Sequence, residues 1–139
     1  MQIKVGTDII EVSRIQESIE NLGQSFLNKI YTEEEIKYCQ SKKKAMYQHF
    51  AARFAAKEAA FKAVSTLLED KYSISWKNAQ IVDDENGKPH LEFVSLSKDV
   101  EKMLKRISSI DVSISHLKEY AIATVTILVD KRYYGNRIF

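Results

Sequence analysis

Two acids and a lysine carry the chemistry that this sequence offers. Glu58 lies in RFAAKEAAFKA, residues 53–63, an alanine-rich run with one acid among three basic residues. At about 100° per residue, Phe50, Phe54, Phe61 and Leu68 fall on one stripe of a helix, with Ala52, Ala56, Ala59 and Ala63 roughly opposite. Both sides read as buried, the phenylalanines in the core and the alanines where another backbone comes close. Glu58 lies between them, so its carboxylate needs a compensating partner. Two readings stand open. Lys62, one turn on, offers an i,i+4 ion pair worth about 0.2–0.5 kcal/mol on an exposed helix. Alternatively, Glu58 joins Asp8 in presenting hard oxygen ligands to a divalent cation, and Lys62 is left to hold a phosphate. Periodicity does not decide between these.

The other residue types narrow the metal. His49, His90 and His116 are far apart and Cys39 stands alone, so no HExxH or Cys/His spacing argues for zinc. DDENG resembles part of a calcium loop, but setting Gly87 sixth puts Val82 first and Phe93 twelfth, where carboxylates are required. Two carboxylates with phosphate oxygens and waters suit Mg²⁺, which favours octahedral oxygen coordination. The expected chemistry is phosphoryl transfer.

These residues must be positioned by a mixed framework. IKVGTDIIEV alternates as a strand, with Ile3, Val5, Thr7 and Ile9 on one face and Asp8 on the other. Ser13 with Gln16 forms a capping signature for a helix running to about Ile30, and Thr32 with Glu35 repeats it for a short one. A long helix is expected over about 46–68. SISWKNAQIVDD and KPHLEFV flank Asn86-Gly87, a hairpin signal. Ser97 caps a further amphipathic helix, and DVSISH and YAIATVTILV read as a second hairpin. Strands and helices do not alternate regularly, so the fold class is α+β with a mainly antiparallel sheet.

The 139 residues fit one domain, here residues 1–130, followed by a basic and aromatic tail, 131–139. A balance of 21 Lys and Arg against 19 Asp and Glu gives no general case for nucleic-acid binding. No apolar run approaches the roughly 20 residues that span a bilayer, so no membrane partner is expected. One cysteine excludes an internal disulfide framework, and the chain start does not read as a leader, so a cytoplasmic location is expected.

VGTDIIEVSRI, RFAAKEAAFKA and SISH, in that order and spacing, resemble the holo-[acyl-carrier-protein] synthase family over residues 1 to about 129. The resemblance implies the 4′-phosphopantetheinyl transferase fold: an antiparallel sheet packed with a long central helix and smaller helices. It implies transfer of 4′-phosphopantetheine from coenzyme A to a serine of apo acyl carrier protein, releasing adenosine 3′,5′-bisphosphate, with Mg²⁺ required. Asp8 and Glu58 match the family's metal ligands, and Lys62 matches a lysine facing the pyrophosphate, with Glu58 and Lys62 catalytic. Arg53, Asn86, Gly87, Lys88, Pro89 and His116 match positions that bind coenzyme A, and Arg14 matches an arginine that meets the carrier protein. The resemblance also implies a homotrimer with sites between subunits, with the alanine face as an interface surface and His116 near a neighbour's Asp8.

Several of these residues have plainer uses. Asn86 and Gly87 suit any tight hairpin, His116 can simply end a strand, Arg53 can cover the Phe stripe, and a lone Arg14 can be solvated. Two departures bear on the expectation. Where the family commonly has Phe-Gly-Thr-Gly, this chain reads Val64, Ser65, Thr66, Leu67, which removes backbone freedom near phosphate and lets the helix run further. A non-catalytic module binding coenzyme A or a carrier protein is the alternative that this loss leaves open. The tail KRYYGNRIF would dock on a neighbouring subunit, touch RNA, or fray.

Overall fold

A computed structural model describes residues 1–130; the tail, 131–139, lies outside the described residues. The order is β1 (Gln2–Glu11), α1 (Val12–Leu22), α2 (Gln24–Ile30), α3 (Glu33–Gln40), α4 (Met46–Val64), β2 (Ala79–Asp83), β3 (Pro89–Phe93), α5 (Lys98–Leu104), β4 (Ile107–His116) and β5 (Tyr120–Val129). β1, β5 and β4 form one antiparallel sheet in that order, and β2 and β3 form a separate hairpin. The fold is α+β, as expected.

α4 lies across β1 and β5, and the alternation of β1 decides what meets it. Gly6 sits at the closest approach. A Cβ there would lie 1.9 Å from the carbonyl oxygen of Ala59 and 2.8 Å from the amide nitrogen of Ala63. Glycine on the strand and alanines on the helix thus bring two backbones together. Ala52, Ala56, Ala59 and Ala63 are all buried within this one chain. The alanine face is therefore not an intersubunit surface as expected; the chain's own core covers it. The open apolar face is the other side of the sheet, where Ile3 is 73 %, Val5 and Ile9 are each 62 % and Ile122 is 43 % exposed.

Other local expectations meet tertiary corrections. α1 begins at Val12 without a side-chain cap, and the Ser13–Gln16 box does not form. β1 runs straight into the helix, and the Val12 amide instead donates to the Glu119 carbonyl at 2.8 Å, across the β4–β5 turn. Gly23, at φ 60°, splits the expected single helix into α1 and α2. The Thr32–Glu35 box does form, as does the Ser97 cap. α4 ends at Val64 and tightens into a 3₁₀ turn over Ser65–Leu67. There the Ser65 hydroxyl donates back to the Lys62 carbonyl at 2.9 Å. Val64 and Ser65 keep right-handed dihedrals, so this turn needs none of the family's glycines. Of the Phe stripe only Phe50 is fully buried; Phe54 and Phe61 are half-buried against Trp76.

A buried ion pair ties α3, α4 and β2 together. Lys57 and Glu35 are both wholly buried, with Nζ 2.8 Å from Oε1. Lys57 also donates to the carbonyls of Trp76 at 2.9 Å and Ala79 at 2.6 Å, so three acceptors meet its three donors. Glu35 accepts from the amides of Thr32 at 2.9 Å and Ile81 at 3.0 Å. Nothing in the periodicity of the sequence signals this network.

Candidate functional site

The expected site residues fall into two groups along α4. The first comprises Asp8, Glu58 and Lys62. Asp8 sits on the helix side of β1 because the alternation that turns Thr7 and Ile9 outward turns it inward. Its Oδ1 lies 3.3 Å from the Lys62 ammonium, which also donates to the Thr7 carbonyl at 2.8 Å. Lys62 thus reaches across to β1, and the i,i+4 pair with Glu58 does not form. Glu58 is half-buried and accepts at Oε1 from the Trp76 indole N–H at 2.7 Å. Among the described residues it has no other hydrogen bond. Glu58 and Lys62 line one cleft of about 740 Å³ with Phe61, Ser65, Tyr72 and Trp76.

The second group gathers N-terminal to the first along α4. Arg53 is 4 % exposed, with its guanidinium 3.6 Å from Asp83 and 4.0 Å from the centre of the Tyr38 ring. Its Nε is buried without a hydrogen-bond partner among the described residues. An unmatched buried donor on a cation is costly and leaves capacity for an anion. His116 ends β4, with Nδ1 3.1 Å from Oε1 of Gln48 and its ring 5.1 Å from that of His49. Burial, and then the neighbouring His116, push the His49 imidazole down to about 4. It is neutral near pH 7. Burial also raises the Tyr38 phenol above its ordinary value.

Asn86, Gly87 and Lys88 occupy the β2–β3 turn, and Pro89 opens β3 opposite Asp83. The Asp84 carboxylate accepts from the amides of Asn86 at 2.8 Å and Lys88 at 3.0 Å, and Gly87 takes φ 80°. The His90 ring and these amides hold Asp84 below the usual carboxylate range. Lys88 reaches Asp111 at 3.1 Å. Arg14 stands exposed on α1, 3.9 Å from Glu11.

Five residues separate Arg53 from Glu58 on α4, a rise of about 8 Å, and thirteen separate His49 from Lys62, a rise of about 20 Å. One chain therefore sets Asp8 against Lys62 and Glu58 beside Lys62 on one cleft, and brings Arg53 and His116 close to Tyr38 and His49. Sequence reasoning missed Trp76, Tyr38, Asp83 and His49. The W in SISW was the one available signal, an aromatic residue leading into a hairpin with no helical or strand period to place it.

Among the described residues, no three His, Cys, Asp or Glu side chains gather as a metal cage. The donor chemistry near Lys62 still fits one ion class. Asp8 and Glu58 offer hard carboxylate oxygens with no thiolate or imidazole beside them, which suits an ion that keeps water and substrate oxygens as further ligands.

The class is an α+β framework in which β1 carries one acid, Asp8, and α4 carries another, Glu58, with the Lys62 ammonium. A family model described as the 4′-phosphopantetheinyl transferase superfamily matches residues 4–125. The chain is 42 % identical over 127 residues to a holo-[acyl-carrier-protein] synthase of Ruminiclostridium cellulolyticum, covering 91 % of this chain and 92 % of that protein. It superposes with a TM-score of 0.75 on the crystal structure of holo-[acyl-carrier-protein] synthase from Neisseria meningitidis, at 32 % identity, covering 90 % of this chain and 97 % of that one. The enzyme of Bacillus anthracis, solved in complex with coenzyme A (3′,5′-ADP), gives a TM-score of 0.68 at 32 % identity, covering 89 % and 94 %. The chain belongs to the 4′-phosphopantetheinyl transferase superfamily.

Proposed function

We infer that the chain is an enzyme that transfers 4′-phosphopantetheine from coenzyme A to a serine of apo acyl carrier protein, leaving holo carrier protein and adenosine 3′,5′-bisphosphate. The observation that carries this is the coincidence, in a chain of this family, of Asp8, Glu58 and Lys62 at one end of α4. Asp8 and Glu58 would hold Mg²⁺, which would supply positive charge to the pyrophosphate. Lys62 is 56 % exposed and, among the described residues, its ammonium bonds only to groups of β1, so it can turn to the departing phosphate. Phosphoryl transfer depends on positioning and charge neutralisation more than on covalent help. The serine oxygen attacks the β-phosphorus, the bond to the leaving bisphosphate breaks, and Glu58 accepts the serine proton through an intervening water.

Arg53 and His116, with the turn Asn86, Gly87, Lys88 and Pro89, bind the nucleotide end of coenzyme A. The unmatched Nε of Arg53 supports that assignment. Arg14, exposed on α1, meets acidic groups of the carrier. Assembly as a homotrimer would bring the second group of one copy to the first group of the next. The uncovered apolar side of the sheet at Ile3, Val5 and Ile9 supports such an assembly. No helix among the described residues is long and apolar enough to cross a membrane.

Incubating the protein with coenzyme A, Mg²⁺ and apo acyl carrier protein, and following the carrier's intact mass, tests the reading. A pantetheinyl gain that chelator abolishes is expected. Binding of coenzyme A with no gain would reduce the protein to a binding module.

A further inference from the structure

The indole of Trp76 stands against the candidate catalytic acid and is itself packed against Phe54 and Phe61. Its N–H points at Oε1 of Glu58 at 2.7 Å. Its ring stacks on Phe54 at 6.3 Å with a 25° tilt and meets Phe61 at 6.3 Å. Lys57, the residue next to Glu58, donates to the Trp76 carbonyl at 2.9 Å, and Lys57 is in turn anchored by the buried Glu35. Ser75 and Asn78 cap the short turn that carries Trp76. Consecutive residues of α4 therefore grip one tryptophan from two sides, Lys57 by its backbone and Glu58 by its ring.

A glutamate has several rotatable bonds, and without a partner its carboxylate would sample many positions in the cleft. Lys62 does not restrain it, because that ammonium is turned to β1. The indole is the only hydrogen-bond partner of Glu58 among the described residues. Indole N–H is a donor and never an acceptor, so it can orient the carboxylate without competing for a proton. Engagement of Oε1 leaves the other oxygen for the cleft. An ion that demands near-ideal octahedral geometry is better served by one directed oxygen than by a swinging carboxylate.

We propose that Trp76 is the positioning residue for Glu58 in the transfer reaction, its indole N–H occupying one carboxylate oxygen so that the other is presented to the cation and the incoming hydroxyl. This rests on the role given to Glu58 above. The residue belongs to none of the three motifs that carry the family resemblance, and it enters the site from the short turn Trp76–Asn78, which follows the loop after α4.

Trp76→Phe keeps an aromatic ring between Phe54 and Phe61 and removes the donor. In the intact-mass assay the Mg²⁺ concentration for half activity rises about 10- to 100-fold, while KM for the carrier protein and the melting temperature stay close to those of the parent. A melting temperature that falls with an unchanged Mg²⁺ requirement would make the contact merely structural and overturn the proposal. Because Trp76 is the only tryptophan in the chain, its emission reports on the same bond without any variant. Titrating Mg²⁺ into the wild-type protein with coenzyme A shifts or quenches that emission with the half-point of activation. Flat emission through full activation overturns the proposal even if the Phe variant fails to fold. A wild-type protein that transfers nothing would overturn the function itself, and the emission titration would still decide the link between Trp76 and Glu58.

Discussion

Gly6→Ala should damage both the fold and the site by one steric contact. The added Cβ would stand 1.9 Å from the Ala59 carbonyl oxygen and 2.8 Å from the Ala63 amide nitrogen, both backbone atoms inside α4. An ordinary carbon–oxygen contact is about 3.3 Å, so strand and helix must part by roughly 1.4 Å. Neither atom belongs to a flexible side chain that could swing away. A gap of 0.5–1 Å already forfeits about a quarter to a half of a packing contact, and this one would open along the buried alanines of α4. The cost should reach or exceed about 3 kcal/mol, the upper range for overpacking, which lowers the melting temperature by roughly 10 °C in a chain of this size. Asp8 is two residues further along β1, so its carboxylate moves away from Lys62 by a similar distance. Displacement by about 1 Å can cost 10²-fold in rate. Gly87→Ala is the control. Its Cβ would meet open space, and only φ 80° opposes it, at about 1–2 kcal/mol. Thermal denaturation followed by circular dichroism, with the carrier-mass assay on each variant, gives both readouts. A Gly6→Ala protein that melts no lower than Gly87→Ala would refute the packing argument.

Glu35→Ala strands the buried Lys57 ammonium without a counter-charge and removes acceptors for Thr32 and Ile81. Urea unfolding should show a loss of about 3–5 kcal/mol, much of it recovered when Lys57→Met is added; equal losses in the single and double variants would contradict this. Burial raises the Cys39 thiol from 9.0 to about 12. The native state therefore keeps a proton that the unfolded chain releases, and stability falls as pH rises above 9, by about 1.4 kcal/mol per unit until about 12. The slope should be shallower in Cys39→Ala, and identical slopes would show that the thiol is not shielded. His49 runs the other way, since its imidazole is lowered from 6.5 to about 4, chiefly by burial. The unfolded chain binds that proton first, so stability is lost as pH falls from 6.5 towards 4. An NMR titration of the His49 ring should show no midpoint near 6.5, and a normal midpoint would remove this contribution.

What the sequence made legible was local. Thr32 with Glu35 and Ser97 with Val100 mark helix starts whose partners lie three residues away, and both caps form. The Ser13–Gln16 box has the same form and fails, because a carbonyl from the β4–β5 turn satisfies the Val12 amide first. No short-range pattern carries that information. The alanine stripe marks a place of close backbone approach, but whether own sheet or neighbour makes the approach depends on Gly6, which lies 53 residues before Ala59. The same limit applied to the site. Spacing put Glu58 and Lys62 one turn apart and left their pairing open. Lys62 turns to Asp8 and the Thr7 carbonyl because β1 lies against that face of α4, and Glu58 finds Trp76 from a loop without period. Even a resemblance to a known family could not supply these two partners.

The proposed transfer requires Asp8 and Glu58 to share one divalent cation. Crystals grown with coenzyme A and Mn²⁺ in place of Mg²⁺, measured at the manganese absorption edge, would locate the ion directly. One anomalous peak in direct coordination contact with an oxygen from each carboxylate, beside the pyrophosphate, is expected. A peak touched by neither carboxylate, or by one while the other remains tied to its present partner, would contradict it.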